Sequence, residues 1–324
     1  RGHQLTNINV WTPDSRWRVY DVRPHRGSPT GTTIERVNVE TGVTDGLYYA
    51  RAAAHVAVVT LSPHLLTRHV FINRPENPDE SWQYDFHHRR GVIVSEPQRA
   101  GAVTLDAMDI TAPFTPGALR GGTHVHVFSP DSSRLSFTYN DHVLHERDPA
   151  LDLRNVGVAI SGNPVTPPKH HLREYDGSHF SVLVSETTAT PQSGSDDINR
   201  AYEEGWVGHE GYVKADGSRQ RWALVFIGDT LSAQGEKHPE IFVVDLPLND
   251  ADYRQAGDKP LQGTPETLPA PPAGVKQRRI TFTENGVATQ PRHWLRASPD
   301  GAQIAFLMKD QKGVVQVWTI SPNG

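Results

Sequence analysis

The chain has 324 residues, 36% of them hydrophobic and 21% charged, with a net charge of -5; this is a water-soluble globular composition with room for one large β domain or two ordinary ones. The charge is mild and unclustered and no apolar run reaches the roughly 20 residues of a membrane helix, so neither nucleic acid nor membrane is expected as a partner. Cysteine is absent, which excludes disulfides, thiolate metal sites and cysteine nucleophiles and leaves the compartment open.

Taken from the N-terminus, Arg1 to Thr6 holds no apolar h-region, and Gln4-Leu5-Thr6 resembles the later pattern Arg279-Ile280-Thr281. It is expected to act as an outer strand that completes the last unit of a closed ring. Asn7-Ile8-Asn9-Val10-Trp11-Thr12-Pro13-Asp14 then leads into Trp17-Arg18-Val19-Tyr20-Asp21. A looser copy is His55-Val56-Ala57-Val58-Val59 with Ser62-Pro63 and His69-Val70-Phe71-Ile72. A clear copy runs from Gly122 through His124-Val125-His126-Val127-Phe128-Ser129-Pro130-Asp131 to Arg134-Leu135-Ser136-Phe137-Thr138-Tyr139. Another starts near His179, with room for one more between Ala223 and Leu246, and the last reads His293-Trp294-Leu295-Arg296-Ala297-Ser298-Pro299-Asp300 before Gln303-Ile304-Ala305-Phe306-Leu307.

Each copy is a short apolar strand, a Ser/Thr-Pro turn and a second strand. Pro fixes φ and Asp bonds its own backbone, which reverses the chain tightly. Third strands follow at Ile241 to Leu246 and Val314 to Ile320, and a fourth at Gln277 to Phe282. Four-stranded repeats predict an all-β fold, a β-propeller of antiparallel blades, with five or six visible and a truncated seven-bladed ring as one reading. A sandwich would alternate too, but without the recurring Ser-Pro-Asp. Residues 1–324 are read as one domain, with Pro265 to Pro272 crossing between blades and helix confined to the stretch near Asp197 to Gly205. Long loops at 74–92, 140–178 and 187–221, rich in Pro, His, Arg and Asp, are where function is expected.

Seventeen histidines are many for this length. His124 and His293 share a repeat position with Asn7, while His55 and His179 begin comparable strands. On the channel-lining strand of a propeller, such positions form a polar ring; His55, His179 and His293 are therefore weak metal candidates, against strand capping as the ordinary reading. His124 and His126 are expected on one face of their strand, near His142 with Asn140 and Asp141. The loop Phe86-His87-His88-Arg89-Arg90-Gly91 adds imidazole and guanidinium, and Tyr202, Arg221, Trp206 and Trp222 add phenol, cation and flat apolar faces. Arg pairs a carboxylate bidentately and Trp stacks on a sugar ring, so the set suits an acidic saccharide. For Arg89 and Arg90 the alternative is solvated surface charge, and for the two Trp residues it is packing between blades.

Gly121 to Pro130, Ser136 to His142, Asp148-Pro149-Ala150-Leu151-Asp152-Leu153-Arg154-Asn155-Val156-Gly157 and Ala201 to Gly208 resemble YidR-like bacterial proteins, as do Asn77-Pro78-Asp79-Glu80 and Tyr84 to Gly91. The resemblance runs end to end. It implies a TolB-like propeller of unassigned role, from a bacterial cytoplasm or periplasm, in a family that continues past the point where this chain stops. More distantly the chain is similar to ulvan lyases, propellers that set two His, a Tyr and an Arg against a uronic acid. That similarity implies catalytic roles for His124, His142, Tyr202 (or Tyr212) and Arg221; by residue type and placement alone, His126, Asn140, His87, His88, Arg89 and Arg90 are expected on the substrate.

Two functions follow. One is a lyase that cleaves a uronic-acid oligosaccharide by β-elimination, with Arg221 and one His on the carboxylate, and Tyr202 or the other His as base. It requires no cofactor, although a divalent metal is compatible. The other is a non-catalytic TolB-like propeller that binds a protein or small ligand in its funnel.

Overall fold

The computed structural model describes residues 2–4, 9–25, 28, 30–65, 67–95 and 101–324. The first sheet contains β1 (Gly2–Gln4), β2 (Trp17–Arg23), β3 (Thr33–Asn38) and β4 (Thr44–Tyr49). The second contains β5 (Val56–Leu61), β6 (Arg68–Asn73), β7 (Arg90–Ser95) and β8 (Val103–Thr104), and the third β9 (Gly121–Phe128), β10 (Arg134–Asp141), β11 (Asn155–Ile160) and β12 (Phe180–Leu183). β13 (Ala201–Trp206) opens the fourth; a small hairpin of β14 (Tyr212–Val213) and β15 (Arg219–Gln220) precedes β16 (Ala223–Leu231), β17 (Lys237–Asp245) and β18 (Gln277–Arg279). β19 (Arg296–Ala297), β20 (Ile304–Lys309) and β21 (Val315–Ile320) form the last. Apart from the small hairpin, every sheet is an antiparallel meander in chain order, four-stranded except for the three-stranded last one. Such meanders are propeller blades, and the chain belongs to that all-β class.

The chain divides into two compact units, one of Arg1–Val143 with Ala159–Ser181, the other of Leu144–Val158 with Val182–Gly324. The core of the first gathers Val19, Ile34, Val56, Leu61, Phe71 and Val92; that of the second gathers Val225, Ile227, Ile241, Val243, Leu295 and Ile304. Each such side chain, fully withdrawn from water, contributes roughly 1.5–3 kcal/mol.

The Ser-Pro-Asp punctuation works as its chemistry predicts. Ser129 Oγ donates to Asp131 at 2.8 Å and accepts from Arg134 N at 3.0 Å, and Asp131 also accepts from Ser133 N. Ser298 and Asp300 repeat the arrangement with Gln303 and Ala302, and Thr12 and Asp14 repeat it with Trp17 and Arg16.

Four expectations are corrected. Gln4 does not serve the last blade: β1 pairs with β2, Gln4 opposite Asp21, so the N-terminal strand is an edge strand of the first sheet. Leu5, Thr6, Asn7 and Ile8 lie outside the described residues. From Ala201 onward the stretch expected to be helical forms β13, and the α-helix among the described residues, α1, is instead His142–Arg147. His179 precedes β12, the last strand of its meander, and so does not begin a first strand; its N–H reaches Leu105 O at 3.0 Å. Residues 223–246 are the middle strands of the blade that β13 begins.

The first strands of three blades are bulged. Val58, Val125 and Glu203 have φ of 56°, and the pairing register shifts in each case immediately after the preceding residue. A bulge puts two residues opposite one and re-aims the side chains around it. Consequently Ala57, His124 and Tyr202 hold the same register position in their own blades, paired with Ile72, Thr138 and Ile227.

Candidate histidine and tryptophan site

Within the first unit, the loop before β7 is seated on the start of β9. Thr123 N donates to Arg89 O at 3.1 Å, and Gly122 accepts the loop because it has no Cβ: one built there would lie 2.3 Å from Phe86 O. Asp85 caps a 3-10 turn, Phe86–His88, through Phe86 N, and this turn turns His87 and His88 inward, leaving them 2% and 9% exposed.

His142 joins them from the other strand. It follows Asp141 at the end of β10, and its N–H donates to Arg120 O at 3.0 Å. The support beneath is ionic and dry. Arg120 and Asp141 are both fully buried; the guanidinium gives Asp141 Oδ2 two bonds, at 2.7 and 3.1 Å, and Tyr139 Oη adds a third at 2.8 Å. Burial, with Asp141 beside it, holds the Tyr139 phenol well above its usual range, so it stays a donor.

His88 Nδ1 lies 2.6 Å from Gln83 O. A carbonyl only accepts, so this nitrogen carries the proton and Nε2 of the neutral ring presents its lone pair to His142 Nδ1, 3.1 Å away. Trp82 stacks on His88 at 3.7 Å between centroids and meets His142 edge-on at 4.6 Å. His171 lies 6.1 Å from the same indole, and Arg173 covers it at 5.8 Å. One ligand atom from each of His87, His88 and His142 falls within 4.8 Å of the other two. That donor set, with one ring fixed by a backbone carbonyl, suits a divalent cation of the borderline class.

The sequence placed His87, His88 and His142 in one functional region, and the structure brings those three together. Trp82 and His171 were missed. The loop around Trp82 was marked by composition, but nothing in a single sequence says that its indole faces the imidazoles.

The other candidates are placed differently. His124 is half-buried on β9, its carbonyl accepting from Thr138 Oγ1. His126 does not share its face: the bulge at Val125 turns it inward to 1% exposure, where Nε2 meets Thr123 Oγ1 at 2.9 Å and burial lowers its pKa to about 3. It is a neutral core imidazole. Asn140 is half-buried on β10 opposite Gly122. Arg89 is 6% exposed and bonds Tyr84 Oη, while Arg90 pairs with Glu76 at 2.7 Å, so neither is free surface charge.

His55 precedes β5, and His179 is buried with Nδ1 2.8 Å from Ser178 Oγ and its pKa lowered to about 4, by burial and then by Arg68. His293 Nδ1 donates to Pro291 O at 3.1 Å. None of these three belongs to the metal-compatible group of the first unit.

In the second unit Tyr202 is 8% exposed and donates to Asp229 at 2.7 Å, which Lys237 also meets at 2.6 Å. Burial and the Asp229 carboxylate push its pKa far above the usual phenol value, so it suits a proton donor rather than a base. Tyr212 donates to Asp245 and accepts from Arg278, with its pKa pushed up to about 12 by burial and then by Asp245. Arg221 is exposed, its guanidinium 4.9 Å from the centre of the Trp222 ring. Trp222 and Trp206 meet edge-to-face at 6.1 Å, as packing residues do.

Residues 55–175, which include the whole histidine cluster, match the family model described as a protein of unknown function, DUF3748. Among solved structures, TolB from Acinetobacter baumannii aligns with 97% of this chain at 12% identity and a TM-score of 0.43. An oligogalacturonate lyase in complex with manganese aligns with 96% at 12% identity and 0.45. The chain spans 51% of that TolB and 63% of that lyase, and likenesses this distant assign neither an activity nor a residue. The uncharacterized protein YidR of Escherichia coli (strain K12) is 61% identical over all of this chain, which covers 75% of that protein. The chain therefore belongs to the YidR family.

Proposed function

We propose that the chain is a lyase that cleaves a uronic-acid oligosaccharide by β-elimination at the histidine cluster. The reading is carried by the convergence of His87, His88 and His142 on the Trp82 indole. Trp82 offers the apolar face for a sugar ring, and the imidazoles offer positive charge or hydrogen bonds to its carboxylate. His87, His88 and His142 would hold a divalent cation, the species in the manganese complex of the distant lyase. Bound there, it supplies charge against the carboxylate and so acidifies the proton on the adjacent carbon.

His124 is the base in this reading. It takes the C5 proton; the electron pair forms the C4–C5 double bond, the C4–O4 bond breaks, and O4 leaves with a proton returned by the His124 imidazolium or taken from water. His124 is the histidine that the resemblance to ulvan lyases pairs with His142, and it remains half-exposed, whereas His126 is sealed off. Arg221 and Tyr202, in the second unit, receive no step.

The test is absorbance of the unsaturated uronate after incubation with ulvan, oligogalacturonate and other uronic-acid polymers. A rise that His142→Ala and His124→Ala both abolish supports elimination. A flat trace across the panel from folded protein overturns it and favours a binding propeller.

A further inference from the structure

A second candidate site draws on the same loop before β7. A cavity of about 470 Å³ is lined by His55, Arg74, Pro75, Gln83 and Tyr84, with Asp79 and Glu80 on its rim. That volume is within the range of a small-molecule pocket and holds one sugar residue. Its floor is basic. Arg74 is 7% exposed, yet its Nε has no hydrogen-bond partner among the described residues, and neither does His55 Nδ1. The Arg74 guanidinium carbon lies over the Tyr84 ring, 4.0 Å from its centroid, and Arg89 bonds the hydroxyl of the same tyrosine.

The surrounding charges do not neutralise Arg74. The buried carboxylate nearby is Asp21, which is taken up by both forks of Arg23 at 2.8 and 2.9 Å and by Val58 N at 2.6 Å. On the rim, Asp79 is exposed and occupied by Arg173 at 2.6 Å and by Ser81. Burial, and then Arg89 and Arg23, lower the Arg74 pKa to about 10 although Tyr84 and Asp21 oppose them. A guanidinium charged at neutral pH, 7% exposed and unbonded at Nε keeps a donor for a ligand that enters the cavity. The natural complement is an oxyanion that accepts from its N–H groups, with the neighbouring imidazole as a further donor.

We propose that the pocket of Arg74, His55 and Tyr84 binds the carboxylate of a single acidic sugar residue. Arg74 is the anchor, Tyr84 holds its plane, and His55 and Gln83 contact the remainder of the ligand. The argument uses none of the histidine cluster and stands whether or not the chain is a lyase.

The experiment is calorimetric titration of the full chain with sodium galacturonate, sodium sulfate and neutral galactose, in the presence of EDTA. Saturable binding of galacturonate, absence of binding by galactose, and at least about tenfold weaker binding by Arg74→Met are expected. If Arg74→Met does not fold, His55→Ala serves, with a loss of several-fold expected. Arg74→Met must weaken galacturonate binding in a His142→Ala background by the same factor as in the unchanged chain; this separates the pocket from the proposed catalytic cluster. Equal affinity for sulfate and galacturonate would overturn the sugar assignment in favour of a free inorganic anion. No binding by galacturonate, or binding that Arg74→Met and His55→Ala both leave intact, would overturn the site.

Discussion

His88 Nε2 and His142 Nδ1 lie 3.1 Å apart, with the His88 proton already committed to Gln83 O on the opposite side of the ring. A lone pair is thus held toward a second imidazole by a backbone carbonyl, the geometry in which neutral histidines ligate metal. Millimolar Mn²⁺ or Zn²⁺ should therefore raise the melting temperature by roughly 5 °C, and EDTA should reverse the shift. His88→Ala and His142→Ala should each cancel it. Differential scanning calorimetry checks this, and a shift that survives both substitutions would place the ion elsewhere.

Beneath His142 sits a dry ion pair, and losing half of it should be expensive. Asp141→Ala leaves the fully buried Arg120 guanidinium uncompensated, at a cost of about 3–5 kcal/mol. The double change Arg120→Met with Asp141→Leu removes both charges and should recover most of that loss. Urea unfolding of the unchanged chain and the two variants measures it. Equal stability of the single and double variants would mean that the pair is not desolvated as described.

What could be read from the sequence, and what could not, divides along local and non-local chemistry. The Ser-Pro-Asp turns and the strands on either side were legible because Pro, Asp and alternation act within ten residues. Even the grouping of His87 and His88 with His142 followed from loop composition and strand order. The faces of His124 and His126 were not legible, because an even spacing implies one face only while the strand stays regular. The bulge at Val125, with φ of 56° on a β-branched residue, is imposed by tertiary packing and leaves no local signal. The same holds for β1, whose place beside β2 is decided by pairing rather than by its own residues. The pocket around Arg74 was equally silent, since a lone Arg after a strand reads as surface.

Trp82 fixes the plane of His88 through a ring stack, so its role can be split by shape. Trp82→Phe keeps a flat face against the imidazole and should retain most of the metal-dependent melting shift. Trp82→Ala opens a cavity where a 6% exposed indole stood, and should cost about 3–5 kcal/mol together with that shift. Comparing the two variants with and without Mn²⁺ in the calorimeter tests the claim; equal retention of the shift in both would make the stack dispensable.

Stability should fall in mild acid, and the sign follows from three buried groups. Burial lowers His126 to about 3 and, with Arg68, His179 to about 4, so the folded chain keeps both neutral where the unfolded chain takes up protons. The unfolded state therefore binds more protons below the usual histidine value of about 6.5, and stability declines as pH falls from there toward 4 and 3. Asp106 acts the other way. Burial raises it to about 6 against the hydrogen bonds of Gly91 and Thr123, so it favours the folded state in acid and loses that contribution as pH rises from 3.8 through 6. Two histidines outweigh one carboxyl, each histidine costing on the order of 2 kcal/mol near about pH 5. His126→Gln, which can still meet Thr123, should flatten the unfolding free energy below about pH 6.5 by that amount, as read from urea midpoints across pH. A variant whose pH profile is parallel to that of the unchanged chain would show that His126 already titrates normally in the fold.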